Sequence, residues 1–396
     1  MTVSAGVESL IRELSGAHRD VALEDLFGQA AAEMRPAADR FEVLEQALEG
    51  VKELGLLGDD DPHDMHLLRT VGSVYERLVH LEQAQGTFEA ALALADKVAD
   101  PAARAAVLAR LGRVLSLWNR WDDALTYLDR AAEAYAELHD DGGRARVLVD
   151  RGVVYHERGE YEIANRLYAE ATELAESSGL RDVVARASNN QAVLATIRGD
   201  SEEAEAQYRR CLEIYEETGN QREAARTHHN LGMTYADRQD WSAATGCYAR
   251  GFQIARERQQ LDVMANVCLS QGEMLLDMGD STLVTLCGVR ALEIYRKIGD
   301  RLGEADAYRL LGRVFTERAQ WTTAEALLGD SLRLNEEFEN PLGVGEAYRD
   351  LGRMQQAKGS LAAARGSYEK ALERFGELEA KSDEAQVRDL LSALGN

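Results

Sequence analysis

Arginine and asparagine return in this chain at a fixed spacing. Arg146, Arg186 and Arg226 are separated by one repeated interval, and Asn190 and Asn230 by the same interval. A guanidinium presents a planar fork of donors that matches a carboxylate. A primary amide donates and accepts at once, which suits the backbone of an extended chain. Asn is a poor helix former, so its recurrence inside a helical pattern points to a demand other than propensity. Arg309 with Arg313, and Arg349 with Arg353, add guanidiniums one helical turn apart on one face.

Signals for bond-making chemistry are missing. The sequence has no GxSxG, no GxxxxGK, no GxGxxG after a strand and no HExxH. His63 and His66 follow the run Asp59-Asp60-Asp61 and have the spacing to share a metal. The run is more simply a helix N-terminus, where carboxylates satisfy free backbone NH groups and the helix dipole. His228 and His229 are adjacent on a helix and point in different directions. Four cysteines, Cys211, Cys247, Cys268 and Cys287, form no close pairs, and Cys211 and Cys268 fall on packing positions. The residues therefore predict no enzyme, no metal site and no cofactor.

The elements that must carry these side chains are set by a longer rhythm. Glycine recurs at Gly72, Gly112, Gly152, Gly232, Gly272, Gly312 and Gly352, always at a multiple of the arginine interval, with Ala192 filling the one gap. A period of about 40 residues marks stacked supersecondary units. Each unit opens with a helix such as Leu148…Gly152…Tyr155, whose apolar residues fall on one face. A turn follows, for example Arg158-Gly159-Glu160 or Lys358-Gly359-Ser360, with glycine in a left-handed stop. The second helix opens on Trp121, Tyr161, Trp241 or Trp321, carries Ala124, Ala164, Ala244 or Ala324, and continues with a large and then a small residue, as in Tyr168 with Ala171. Small residues let two helices approach and large ones fill the remaining space, so each hairpin is covered only when its neighbour stacks on it.

On these residues the chain resembles the tetratricopeptide repeat. The Leu-Gly…Tyr first helix and Ala…Tyr/Phe…Ala second helix appear in eight consecutive copies. The period of 40 and the missing terminal proline resemble the Pins/LGN and kinesin-light-chain type. Gly179, Gly219 and Gly299, with Asp100-Pro101 and Asn340-Pro341, mark repeat boundaries. The resemblance implies an all-α fold, a right-handed superhelix (α-solenoid) of eight 40-residue helical hairpins over residues 61–380. Residues 381–396 read as a C-terminal capping helix. Residues 1–60 read as an N-terminal helical cap. Their alternative is a three-helix effector module, which would give the plan of the Rap-type bacterial peptide sensors.

In this family the first helix of every unit lines a concave groove. Carried onto this chain, the groove holds Arg146, Asp150 and His156, then Arg186, Asn189 and Asn190, then Arg226, His229, Asn230 and Met233, then Asn266. Arg309, Arg313, Arg349 and Arg353 extend it. The resemblance implies that the asparagines hold a backbone and the arginines read carboxylates. The competing reading is that the arginines pair inside the groove with Asp150, Asp237, Asp277, Asp306 or Asp350.

Composition bounds the rest. Proline occurs four times in 396 residues, and the formal charge is −24. Such a surface repels phosphate backbones, so no nucleic-acid partner is expected. No window is apolar enough to span a bilayer and Met1 to Ser15 lacks a signal pattern, which predicts a cytoplasmic protein without membrane insertion. The charge and arginine bias fit a salt-adapted or GC-rich bacterial source. The expected partner is a protein or peptide, an extended acidic segment, held by a non-enzymatic scaffold. The alternative is a regulated peptide sensor acting through residues 1–60.

Overall fold

The computed structural model describes residues 80–378 and 380–395, preceded by 68, 69, 71–73, 75 and 76. Residues 1–60, and the pair His63 and His66, lie outside the described residues.

The helices alternate as first and second members of hairpins. They are α1 (Leu81–Lys97), α2 (Pro101–Leu117), α3 (Trp121–Glu137), α4 (Asp141–Glu157), α5 (Tyr161–Ser177) and α6 (Arg181–Ile197). Then come α7 (Ser201–Thr218), α8 (Gln221–Asp237), α9 (Trp241–Glu257), α10 (Leu261–Asp277) and α11 (Ser281–Ile298). The chain continues through α12 (Arg301–Glu317), α13 (Trp321–Glu337), α14 (Pro341–Ala357), α15 (Leu361–Glu377) and α16 (Lys381–Ala393). Among the described residues none of these is long and apolar enough to cross a membrane.

Their boundaries follow from cap chemistry. After α3 the chain turns through His139, at φ 54°. The His139 NH donates to the Ala136 carbonyl and the Asp140 NH to the Tyr135 carbonyl, satisfying carbonyls that the helix end leaves open. Asp140 then caps α4 by accepting from the Gly143 NH. The same stop and restart recur at other helix junctions: Asp100, Asp200, Asn220, Asp240, Asp300 and Asn340 all accept from the first turn of the next helix. The turn glycines Gly159, Gly199, Gly279 and Gly359 have the expected positive φ. Seven other turns place Ala99, Asn119, His139, Gln239, Gln259, Ala319 and Glu339 in that conformation.

The described residues divide into two compact units at 194/195, inside α6. In the first unit Gly112 abuts Leu128 and Gly152 abuts Tyr168. Leu108, Leu115, Leu128, Val147 and Val154 share one buried cluster, so the hairpin of α2 and α3 is closed by α4. In the second unit Gly232 abuts Tyr248, Gly312 abuts Leu328 and Gly352 abuts Tyr368. At the end of the chain α16 packs Val387, with Leu390 and Leu391, against Tyr368 and Phe375. Burying each such large side chain contributes about 1.5–3 kcal/mol, and each is buried only because the next helix covers it. The four cysteines are free thiols; Cys211 and Cys268 are buried, and burial raises the pKa of both.

Candidate functional site

In the first unit the predicted residues lie on α4 and α6, and α2 adds two arginines outside the predicted set. Arg186 on α6 donates to Asp150 on α4, with Nη2 2.7 Å from Oδ1. Arg110 and Arg113 on α2 close on the buried carboxylate of Glu76 at 3.4 and 2.7 Å. Arg146 is exposed and makes no ion pair among the described residues. Asn189 and Asn190 are half-buried, and Asn190 sits beside the Tyr168 hydroxyl. Burial is the main cause that pushes that hydroxyl's pKa up, with Glu157 adding to it and Arg186 opposing. His156 tilts against the Tyr161 ring at 5.8 Å and lies 3.8 Å from the Glu157 carboxylate.

In the second unit the predicted residues separate into two groups. Arg226 donates to Asp262 at 2.8 Å, and both side chains are about half exposed. His229 meets Ser270, Nε2 to Oγ 2.9 Å, and its ring tilts against Tyr248. Burial pushes the pKa of His228 and of His229 down to about 4, so both imidazoles are neutral near pH 7. Asn230 is half-buried and Met233 exposed. Asn266 accepts a hydrogen bond from the Tyr295 hydroxyl at 2.7 Å.

The remaining arginines are held by the chain's own carboxylates. Arg309 lies 3.4 Å from Glu346, 3.6 Å from Asp350, 3.7 Å from Glu273 and 4.0 Å from Asp306. Arg349 reaches Asp383 at 2.7 Å and Glu346 at 3.5 Å. Arg353 reaches Asp350 at 3.4 Å and Arg313 reaches Asp277 at 3.6 Å. The Arg309 and Arg349 side chains are only 12% and 10% exposed, and Asp350 only 1%. These two arginines are thus not free cations on a wet surface. Charges desolvated to this degree persist only when paired, so their first role is internal. Burial also lifts Asp306 to about 6, against the pull of Arg309.

Sequence reasoning did not single out one feature of the second unit. A cavity of about 620 Å³ opens between α8 and α10, lined by Met233, Asp237, Trp241, Tyr248, Glu273 and Asp277. Its legible signal was Asp237 and Asp277, which occupy the same position in successive repeats.

The family model described as tetratricopeptide repeat matches residues 102–177 and 183–257, which span α2 to α5 and α6 to α9. No curated protein matches the sequence. Among solved structures, aspartyl phosphate phosphatase F from Bacillus subtilis is similar with a TM-score of 0.60 at 10% identity, covering 94% of this chain and 95% of that one. A signal transduction ATPase with numerous domains, carrying a tetratricopeptide repeat sensor, from Pyrococcus horikoshii gives 0.63 at 13% identity; it covers 97% of this chain, which spans 56% of that one. A Rap protein complexed with competence and sporulation factor gives 0.54 at 12% identity, covering 84% of this chain and 97% of that one. At such identities the likeness is one of fold. The matched segments, the glycine-on-aromatic packing and the hairpins that continue to α15 agree: residues 102–177 and 183–257 match the tetratricopeptide repeat, and the described residues form an all-α solenoid of the same kind.

Proposed function

We propose that the chain is a non-enzymatic scaffold that holds an extended segment of another protein along the first helices of its repeats. In the first unit that segment is acidic. The observation that carries this reading is a charge imbalance. Arg110 and Arg113 share the one carboxylate of Glu76, and Arg146, exposed on α4, makes no ion pair among the described residues. A segment bearing carboxylates supplies the missing partners, while Asn189 and Asn190 offer amides to its backbone.

Titration of labelled extended peptides, one rich in Glu and one with Gln in its place, tests the reading. The Glu peptide is expected to bind more tightly, with an affinity that falls as salt rises. Arg146→Ala with Arg186→Ala should flatten that salt dependence. Asn189→Ala with Asn190→Ala should weaken binding and leave the salt slope. Equal binding of the Glu and Gln peptides would exclude an acidic segment.

A second reading makes the repeats a regulated sensor acting through residues 1–60. It draws on the fold shared with the Rap protein solved with competence and sporulation factor. Deleting residues 1–60 separates the two: a scaffold keeps its whole function, and a sensor keeps ligand binding and loses its output.

A further inference from the structure

The cavity between α8 and α10 has a charge balance opposite to that of the first unit. Asp237 lines it and makes no ion pair among the described residues. Asp277, beside it, has only Arg313 at 3.6 Å. Glu273 lies 3.7 Å from Arg309, which also meets Asp306, Glu346 and Asp350, and it feels the Arg313 charge as well. Three carboxylates thus face one space with two guanidiniums near them, and one of these two is shared with three further carboxylates. The strain shows in their protonation: burial and the Asp277 charge both raise the pKa of Asp237, and burial raises that of Glu273.

The floor of the cavity makes an independent demand. Tyr248 is 1% exposed, and its ring is fixed against Gly232. Its hydroxyl borders the cavity, lies within reach of the Glu273 and Asp237 charges, and makes no hydrogen bond among the described residues. A segment that fills the cavity and shuts out water must therefore give this hydroxyl a partner. Apolar side chains flank the carboxylates: Trp241, Met233 and Met278 line the cavity, and both methionines are exposed.

We propose that this cavity takes a basic side chain, the guanidinium or ammonium of an arginine or lysine in a bound segment. The aliphatic stem packs on Met233, Met278 and the Trp241 face, where a cation also gains from the ring quadrupole. The head donates to Asp237, Asp277 and Glu273, and the Tyr248 oxygen accepts a further hydrogen bond. A neutral side chain can donate to these oxygens but brings no charge to offset the carboxylates, and an acidic one adds to their repulsion. The inference rests on the cavity alone and not on the acidic segment proposed for the first unit.

The test titrates the full chain with Ac-Gly-Arg-Gly-amide, its lysine counterpart and its citrulline counterpart, followed by ligand-observed NMR and by tryptophan fluorescence. The arginine and lysine peptides are expected to bind saturably, and the uncharged citrulline peptide about tenfold more weakly. Asp237→Asn with Asp277→Asn should remove that preference. Tyr248→Phe keeps the packed ring and should weaken the arginine peptide about fivefold. If the double Asn variant does not fold, Tyr248→Phe decides the matter. Equal binding of arginine and citrulline peptides, a preference that survives in the folded double Asn variant, or an unchanged affinity in Tyr248→Phe each overturns the proposal.

Discussion

Gly152 faces the ring of Tyr168 so closely that a β-carbon on it would stand 2.4 Å from Cε1 of that ring. Tyr168 is fully buried and has no space to withdraw into. Gly152→Leu is therefore expected to destabilise the protein by about 1–3 kcal/mol or more through overpacking. The loss should extend to adjoining repeats, because each hairpin is covered by the next. Urea unfolding followed by circular dichroism measures it, and an unchanged midpoint would refute the packing role of Gly152.

Ion pairs of two kinds should respond differently to removal of a carboxylate. Asp350 is enclosed, with Arg353, Arg309 and Arg349 at 3.4, 3.6 and 4.0 Å. Asp350→Asn removes a buried charge from a desolvated network and leaves Arg309 and Arg349 under-compensated, which should lower stability by about 3 kcal/mol. Asp262 holds Arg226 at 2.8 Å on a wet surface. Asp262→Asn should change stability by about 1 kcal/mol or less. Comparable losses in the two variants would mean that the Arg309 network is not the desolvated cluster it resembles.

Half-buried neutral histidines make stability depend on pH in a defined direction. The folded-state pKa of His229 is about 4, pressed below the ordinary 6.5 by burial. Between those values the unfolded chain binds the proton and the folded chain does not, so stability falls as pH drops through this window. His228 acts in the same sense. Asp306, lifted to about 6, opposes them over the part of the window below that value. Replacing His229 by Asn retains an amide for the Ser270 hydroxyl and removes one titration. Well inside the window, the variant's stability should depend on pH less steeply than the parent's by about 1.4 kcal/mol per unit. Thermal melts at pH 7 and pH 5 provide the comparison; parallel curves for the two proteins would show that His229 titrates normally in the fold.

The architecture was legible because it rests on residue size. Gly152 opposite Tyr168 and Gly232 opposite Tyr248 can be read as small against large without coordinates. The turns were half legible. Gly159 announces a left-handed stop, but nothing in Ala99 or Ala319 does, since alanine avoids that conformation and adopts it here only because the caps on either side require it. The arginine series was visible as spacing while its pairing was not. Arg186 joins the preceding repeat through Asp150, and Arg226 joins the following one through Asp262, a choice made by side-chain reach. The cavity was least legible. Asp237 and Asp277 are ordinary acidic residues in an acidic chain, and only the packing around Tyr248 sets them at an open cavity.

The left-handed stop that closes one helix after another bears on how such a chain can change its length. Glycine occupies some of these stops and alanine, asparagine, histidine, glutamine or glutamate others. The interval is therefore kept by the geometry of ending one helix and starting another, whatever residue stands there. One residue added inside α4 would swing every later side chain of that helix by about 100° and take Gly152 off Tyr168. A surplus of one residue finds no place in this scaffold, whereas a complete hairpin inherits a matching surface on both sides. Growth and shortening of this molecule are thus confined to copying or dropping entire hairpins, and a change of reach comes in fixed steps.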